Sequence, residues 1–489
     1  MTDDEICYLP AVTMARMLRD RTICAREVMT AHLNRIEAHN SEVNAIVTLT
    51  ADTALDEAAA ADNRIARGGP VGPLHGLPVA HKDLQDTRGV RTTYGSTVYA
   101  DHIPDADSLV VERMKAAGAI SLGKTNTPEF GTGSQTYNAV FGPTRNPYDL
   151  TKTSGGSSGG AAVALAAGFI ALADGSDMGG SLRNPASFCN VVGLRPSPGR
   201  VPTFVGNTSW LDLAVEGPMA RNVADAALLL SVLAGDDLRC PRALCGDGSE
   251  FATSLIYDFN GIRVGWASSI QGLEIAPEVT EVLETHGRPA LDDLNLHVFD
   301  VHPDFTGADE TFRAWRGYSY LLSFSDILDG HRDELNPDVV ANIEFGHSLT
   351  VSDLRSADVA RVTLWQRMAV LFQDIDFLIM PVSPVPPFDV NTRWPRSING
   401  VQQTSYLDWM RSAYWISVTG LPAISVPCGF TRDGLPVGMQ IIGPPRSELS
   451  LLRFAYAAES RLGANYVRPS FKRYASKSIN ALANIEPDL

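Results

Sequence analysis

Residues 151–200 limit what this chain can fold into more than any other stretch of its sequence. They contain two clusters of glycine and serine, at residues 154–160 and 177–181, with an apolar, alanine-rich segment between them. Glycine pairs let the main chain pass close to a ligand and turn successive N–H groups toward it. N–H groups arranged in this way can hold the negative oxygen that develops when a carbonyl group is attacked. The two clusters therefore predict a site for nucleophilic chemistry at a carbonyl.

The segments next to these clusters have simple patterns. Residues 161–167 are strong helix formers, which places the first cluster at a helix N-terminus, and residues 169–173 predict a strand that leads to the second cluster. Upstream, residues 74–80 predict a buried strand that delivers His81, Lys82 and Asp83 into the loop after it. Taken alone, Lys82 would be expected to be solvated, because lysine is seldom buried.

Together the three stretches resemble the amidase signature family of serine hydrolases. In that family a lysine in G-L-P-x-x-x-K-D, a serine in G-G-S-S-G-G and a serine that ends D-x-G-G-S form the catalytic triad. The matching positions here are Lys82, Ser157 and Ser181. The resemblance covers most of the chain and is weakest between about residues 230 and 370. It implies one large α/β unit with a central mixed β-sheet flanked by helices, and the alternating helical and strand patterns favour the same fold class.

The resemblance also implies a mechanism and a chemical reaction. Ser181 would attack the carbonyl carbon, Ser157 would relay its proton toward Lys82, and water would clear the acyl-serine intermediate. The products would be a carboxylic acid and ammonia or an amine. The family further implies that the peptide bond between Gly156 and Ser157 is cis. For Lys82 to accept a proton its pKa must be lowered by burial, so we expect the Asp83 carboxylate to point away from it.

Further roles follow from the resemblance for the loop that ends at Ser181. Its backbone N–H groups would hold the oxyanion and contact the substrate, and these residues are Met178, Gly179 and Gly180, with Ser181 itself. Asp177 and Arg183 would support the loop. Departures from the commoner family pattern leave the triad intact but leave the substrate open; they are Ser176, Met178, Asn184, Asn190 and Arg195.

Four aromatic residues in the middle of the chain allow two interpretations. Trp315, Tyr318, Tyr320 and Phe324 can pack between helices or form the wall of a substrate pocket. The second interpretation favours neutral, partly apolar carboxamides, including aryl amides, as substrates.

Two other functions fit parts of the sequence. One is the glutaminase-type subunit of a tRNA-dependent amidotransferase, but residues 129–137 depart from that branch and favour a free-standing amidase. The other is an α/β-hydrolase with Ser157 as nucleophile, because residues 155–159 fit G-x-S-x-G. That motif must follow a buried strand, whereas residues 146–153 are polar and contain a proline. No downstream histidine lies in a glycine-rich setting, and a hydrolase of this kind requires one.

Residues 118–125 match the phosphate-loop pattern G-x-x-x-x-G-K-T. That pattern requires a loop that leads into a helix, whereas the middle of this stretch is apolar and strand-like, and Pro128 follows. We therefore expect no nucleotide site there.

Charge and cysteine content narrow the classes of partner. The formal net charge of −16 disfavours nucleic acids and anionic membranes as partners.

Six scattered cysteines predict reduced thiols and show no zinc-ligand spacing, and we expect neither a metal nor another cofactor. The acidic N-terminus lacks a secretory pattern, so a cytoplasmic location is expected. The expected partner is a small amide substrate, and a homodimer is compatible with the sequence.

The whole chain, residues 1–489, is predicted to form one amidase domain. Within it we expect N-terminal helices at 1–70, the catalytic core at 71–225, and a variable, mainly helical segment at 226–370. Residues 371–489 are expected to supply the C-terminal strands and helix that complete the sheet.

Overall fold

Short apolar runs spread along the chain become strands. A computed structural model describes residues 1–204 and 206–471. The strands in this part of the chain are β1 (Ile46–Leu49), β2 (Pro78–Lys82), β3 (Ile120–Thr125), β4 (Leu172–Asp177), β5 (Val192–Arg195), β6 (Val215–Ala220), β7 (Arg263–Trp266), β8 (His297–Asp300), β9 (Phe377–Pro381), β10 (Ser397–Ile398), β11 (Val401–Gln402), β12 (Ala423–Phe430) and β13 (Pro436–Ile442).

Eleven of these strands form one mixed sheet, in the order β1-β3-β2-β4-β6-β5-β12-β13-β9-β7-β8. Strands β3, β2 and β4 run parallel to one another, as do β9, β7 and β8, and the remaining neighbours are antiparallel. Strands β10 and β11 pair separately. The expected fold class, a large α/β unit with a central mixed sheet, is confirmed.

Helices flank this sheet, and most of them bury one face against it or against a neighbouring helix. They are α1 (Asp3–Cys7), α2 (Ala11–Arg19), α3 (Ala25–Val43), α4 (Ala51–Ala66), α5 (Leu109–Ala116), α6 (Gly159–Ala166), α7 (Arg183–Phe188), α8 (Val223–Leu233), α9 (Pro277–Val282), α10 (Arg288–Asp292), α11 (Ala308–His331), α12 (Pro337–Ser348), α13 (Val351–Asp374), α14 (Arg411–Thr419) and α15 (Glu448–Leu462).

Helix α6 is the element that fixes the first glycine and serine cluster. It is apolar on every side, and all its residues are buried. A Cβ atom on Gly160 would lie 2.3 Å from the Asn126 backbone nitrogen, so only glycine permits the helix to approach the end of β3 this closely. The start of α6 is thereby held against the parallel part of the sheet.

Two strands lie further along the chain than the sequence patterns predict. Strand β2 begins at Pro78 and includes His81 and Lys82, so these residues end the strand instead of entering the loop. The reason is the parallel ladder with β3, in which Lys82 pairs with Thr125. Strand β4 begins later because Gly168, at φ +73°, and Phe169 close helix α6, with the Phe169 N–H group donating to the Ala164 carbonyl.

Residues 118–125 form a turn and strand β3 instead of a phosphate-binding loop, as predicted. The Lys124 ammonium group is buried and donates to the hydroxyl groups of Thr87 and Thr92. Across the described residues, we find no helix with the length and apolar character needed to cross a membrane.

The large sheet draws strands from each of the four predicted segments of the chain. The exact division into segments stays a prediction. The end of the last segment, beyond residue 471, lies outside the described residues.

Candidate active site

Lys82 is the centre of a buried polar cluster between β2, β4 and the start of α6. Its Nζ atom donates to three hydroxyl oxygens, those of Ser157 at 2.7 Å, Ser158 at 2.9 Å and Ser176 at 2.8 Å. The Lys82 side chain has no exposed surface. Hydroxyl groups can donate as well as accept, so the same geometry suits a neutral amine that accepts a proton from one of them.

Residues on β4 set the position of Lys82. The Asp174 carboxylate accepts the Lys82 backbone N–H at 3.1 Å and lies 2.7 Å from His81 Nδ1. Side chains two positions apart on a strand point to the same face, so Asp174 and Ser176 both face Lys82 from β4. The parallel pairing of β2 with β4 therefore aligns the amine with its hydroxyl partners.

Burial lowers the pKa of Lys82, and the nearby carboxyl groups of Glu216, Asp174 and Asp177 act in the opposite direction. The net effect is a pKa below the ordinary value for lysine. The Asp83 carboxylate is not among these groups, and its Oδ2 atom accepts hydrogen bonds from the Thr93 backbone N–H and hydroxyl group at 3.1 and 2.5 Å. The expectation that Asp83 points away from Lys82 is confirmed.

The turn before helix α6 places Ser157 over Lys82. The Gly156–Ser157 peptide bond is cis, as the family resemblance implied. The Ser134 hydroxyl donates to the Gly156 carbonyl at 2.7 Å, which fixes the plane of this peptide. A Cβ atom on Gly131 would lie 3.4 Å from Ser157 Oγ, so this glycine keeps space beside the hydroxyl group.

Ser181 lies at the end of the second cluster and is 8% exposed. The Ser158 N–H group donates to the Ser181 carbonyl at 3.3 Å, which ties the two clusters together. The Gly180 N–H group donates to Asp177 Oδ1 at 2.9 Å. Gly180 is therefore engaged within the loop, although the family resemblance had suggested it as an oxyanion donor.

The Asp177 carboxylate organises this loop from behind. Besides the Gly180 N–H it accepts from the guanidinium groups of Arg183, at 2.9 and 3.0 Å, and Arg195, at 3.2 Å, and all three side chains are fully buried. Burial acts to raise the pKa of Asp177, but Arg183 and Arg195 outweigh it and hold the pKa well below its usual range. The carboxylate thus stays charged and supports the loop together with Arg183.

Replacing Asp177 by asparagine is expected to destabilise the fold by about 3–5 kcal/mol, because it leaves buried guanidinium charge without its carboxylate. Urea denaturation monitored by tryptophan fluorescence would measure this change. Asp212→Asn is the matched control, since Asp212 pairs with Arg361 at 2.8 Å near the surface and should contribute less than about 1 kcal/mol. Equal effects for the two substitutions would contradict the supporting role of Asp177.

A cavity of about 650 Å³ opens over this cluster, and Ser157, Ser176 and Ser181 all lie on its wall. Two of the three hydroxyl partners of Lys82, Ser157 and Ser176, therefore share one space with the second glycine cluster. A bound molecule could contact both serines at once.

Aromatic rings line one side of the cavity. Phe324 is on this wall, 4.6 Å from the Phe130 ring and 5.4 Å from the Tyr320 ring between centroids. Trp315 and Tyr318 do not line this cavity and pack on each other at 5.8 Å. Two of the four aromatic residues, Tyr320 and Phe324, therefore lie on the cavity wall, and Trp315 and Tyr318 do not.

The cavity wall also carries a carboxyl group and a guanidinium group that the sequence patterns did not reveal, those of Glu216 and Arg316. The Arg316 guanidinium is buried and donates to neutral partners, among them Tyr320 Oη at 2.8 Å and Met178 Sδ at 3.1 Å. It therefore fixes Met178 of the glycine loop against helix α11.

Three other residues of the cluster were not predicted as partners of Lys82, because they lie far from it in the sequence. Ser158, Asp174 and Ser176 contact Lys82 across gaps of 76 to 94 positions in the sequence. The alternation of polar side chains along β4 was the one available sign of a shared face. Among the described residues, no group of three or more His, Cys, Asp or Glu side chains is arranged to hold a metal ion.

Comparison with known proteins extends these observations. A family model described as Amidase matches residues 27–452. The chain is 37% identical over 490 residues to a glutamyl-tRNA(Gln) amidotransferase subunit of Moorella thermoacetica, covering 95% of this chain and 99% of that protein. It is 34% identical over 458 residues to an acylamidase of Rhodococcus erythropolis, covering 93% and 96%. The structure of a bacterial aryl acylamidase of the amidase signature enzyme family matches with a TM-score of 0.87 at 29% identity, covering 95% and 99%.

Proposed function

The chain belongs to the amidase family, whose members hydrolyse amide C–N bonds, and we propose that it does so with Ser181 as nucleophile, Ser157 as proton relay and Lys82 as base. The observation that carries this proposal is the 2.7 Å contact between Lys82 Nζ and Ser157 Oγ, beneath a cavity that Ser157 and Ser181 both line. A nucleophile with an adjacent base that is itself held in place is the usual arrangement for covalent catalysis.

Each step conserves protons within this set of residues. Neutral Lys82 accepts the Ser157 hydroxyl proton while Ser157 takes that of Ser181, and Ser181 Oγ forms a bond to the carbonyl carbon. When the C–N bond breaks, the proton returns through Ser157 to the leaving nitrogen. Water then attacks the acyl-serine, giving its proton to the same relay, and the acid leaves as Ser181 regains its hydrogen.

The oxyanion is assigned to backbone N–H groups of the loop after β4. Because the Gly180 N–H donates to Asp177, the donors that we propose are those of Met178, Gly179 and Ser181. A Cβ atom on Gly179 would lie 2.9 Å from the Phe312 ring, which accounts for glycine at this point of the loop. Donors fixed in this way stabilise the charge without reorganising during the reaction.

The aromatic side of the cavity supports amides with an apolar or aryl group as substrates. We expect the purified protein to hydrolyse neutral carboxamides of this kind, measured by release of ammonia or amine across a substrate panel. Aryl anilides, aliphatic primary amides and glutamine should all be included. Turnover confined to glutamine, which carries no apolar or aryl group, would contradict this assignment.

A second candidate function is that of an amidotransferase subunit, which the 37% identity to the Moorella protein favours. The net charge of −16 argues against a surface that binds RNA. We expect the chain expressed alone to be active on simple amides and free of RNA, as judged by the ratio of absorbance at 260 and 280 nm. Activity that appears only with added partner subunits and tRNA would favour the amidotransferase role.

A further inference from the structure

One carboxyl group on the cavity wall, that of Glu216, has no part in the proposed chemistry. Strand β6 places Glu216 opposite Ser176 of β4 in antiparallel register. Both residues line the cavity, and the Ser176 hydroxyl accepts a hydrogen bond from Lys82 at 2.8 Å. Glu216 therefore lies close to the proposed base, Lys82, but takes no part in the proposed proton transfer.

The Glu216 carboxyl group is incompletely paired. Its Oε2 atom is buried and has no hydrogen-bond partner among the residues that the structure describes. Buried polar atoms in native proteins are nearly always paired, and an unpaired one is destabilising. A hydrogen-bond donor on a bound ligand would therefore stabilise the complex. The last torsion of a glutamate side chain is broad and roughly two-fold, so either oxygen can turn toward the cavity.

The environment of Glu216 also suits a hydrogen-bonding role. Burial raises the pKa of its carboxyl group, and Asp174 acts in the same direction, whereas Lys82 and a hydrogen bond from the Gln85 side chain act in the opposite direction. A carboxyl group in such surroundings gains from an additional donor, whether a neutral hydroxyl or an ammonium group.

We propose that Glu216 is a specificity residue whose carboxyl group accepts a hydrogen bond from the substrate. The favoured substrates are then amides that combine an apolar or aryl group with a hydroxyl or amino group. The apolar part lies against Phe130 and Phe324, and the donor reaches Glu216 on the wall near Ser176. This inference rests on the proposed amidase function, because it concerns the substrate of the same cavity.

A site that is built to bind a polar group rejects an analogue without that group, because its own polar atoms are left unpaired. The test uses matched trios of primary amides. One trio is phenylalaninamide, phenyllactamide and the analogue in which a methyl group replaces the amino group. A second trio moves the variable group one carbon further from the amide. In the unaltered protein, kcat/KM for a donor-bearing member of at least one trio should exceed that of its methyl analogue by about tenfold or more.

Two substitutions then assign the preference to Glu216. Glu216→Leu removes the hydrogen-bond acceptor. The kcat/KM for a donor-bearing amide should then be about equal to that for its methyl analogue, so the ratio of the two is close to one. Glu216→Gln keeps an acceptor oxygen but no charge, so it should retain a preference for hydroxyl amides and lose one for ammonium amides. Ser323→Ala removes another polar group from the same wall and should leave the ratio unchanged.

The outcomes separate this inference from the proposed function. An unaltered protein that hydrolyses the amides without preferring any donor overturns the role of Glu216, as does a ratio that persists in Glu216→Leu or falls equally in Ser323→Ala. Absence of all amide turnover, with no labelling of Ser181 by a fluorophosphonate, would instead remove the proposed function and this inference with it. Labelling of Ser181 in the Glu216 variants reports that they remain folded.

Discussion

Ser181→Ala is expected to abolish amide hydrolysis and covalent labelling by a fluorophosphonate, whereas Ser157→Ala is expected to keep the labelled nucleophile and lose its activation. Removing Ser181 Oγ leaves no atom to form the acyl bond. Removing Ser157 Oγ breaks the relay to Lys82, and loss of general-base assistance typically lowers the rate by about 10² to 10⁴. Steady-state kinetics and gel-based labelling of both variants would measure the two effects.

The opposite pattern would identify Ser157 as the nucleophile of an α/β-hydrolase. Two features of the structure weigh against it. No strand of the described residues leads into Ser157, since residues 146–153 form only isolated bridges to other segments. The hydrogen-bond partner of the Ser157 hydroxyl is Lys82, not a histidine. A Ser181→Ala variant that still reacts with the probe, beside an inert Ser157→Ala variant, would nevertheless reverse our assignment.

Local patterns in the sequence were enough to predict the strands and helices around the site. The alanine-rich run predicted helix α6, because its residues are strong helix formers. A helix that is apolar on all sides must also be buried, as α6 is. The phosphate-loop pattern at residues 118–125 was correctly set aside, because its middle residues favour a strand. The boundary of β2 shifted because its pairing with β3, as at Lys82 and Thr125, extends the ladder past the apolar residues. The start of β4 shifted because Gly168 and Phe169 close helix α6.

The order of strands and the partners of Lys82 could not be predicted from spacing. Strands β12 and β13 enter the sheet between β5 and β9, although they come last in the chain. Ser176 and Glu216 become neighbours only through the antiparallel pairing of β4 with β6. A glutamate on a strand pattern is usually a solvated residue, and nothing in its sequence neighbourhood indicates a cavity wall.

Lys124 shows why burial alone does not identify a base. Both Lys82 and Lys124 are fully buried lysines, and burial lowers the pKa of each below its ordinary value. Lys124, however, donates to the Thr87 and Thr92 hydroxyl groups, away from the proposed nucleophile. Contact with Ser157 is therefore what distinguishes the two, and it makes Lys124 a matched control for Lys82.

The activity should rise with pH because the base must be neutral. A lysine of ordinary pKa, near 10.4, is deprotonated in only about 1 in 2,500 molecules at pH 7. Burial lowers the pKa of Lys82, so the neutral fraction grows through the neutral to mildly alkaline range. In the folded protein kcat/KM should accordingly increase as pH passes through this lowered pKa and level off above it.

Lys82→Ala is expected to remove this rise with pH and to lower kcat/KM by about 10² to 10⁴, because the proton relay from Ser157 loses its acceptor. Lys124→Met should keep the rise with pH, whatever its effect on stability, since Lys124 does not touch Ser157. The measurement is kcat/KM for one neutral amide between about pH 6 and pH 10, where the substrate does not titrate, with circular dichroism to verify folding of each variant. A Lys82→Ala variant with near-normal activity and an unchanged profile would mean that Lys82 is not the base, and loss of the rise in Lys124→Met would transfer that role to the second lysine.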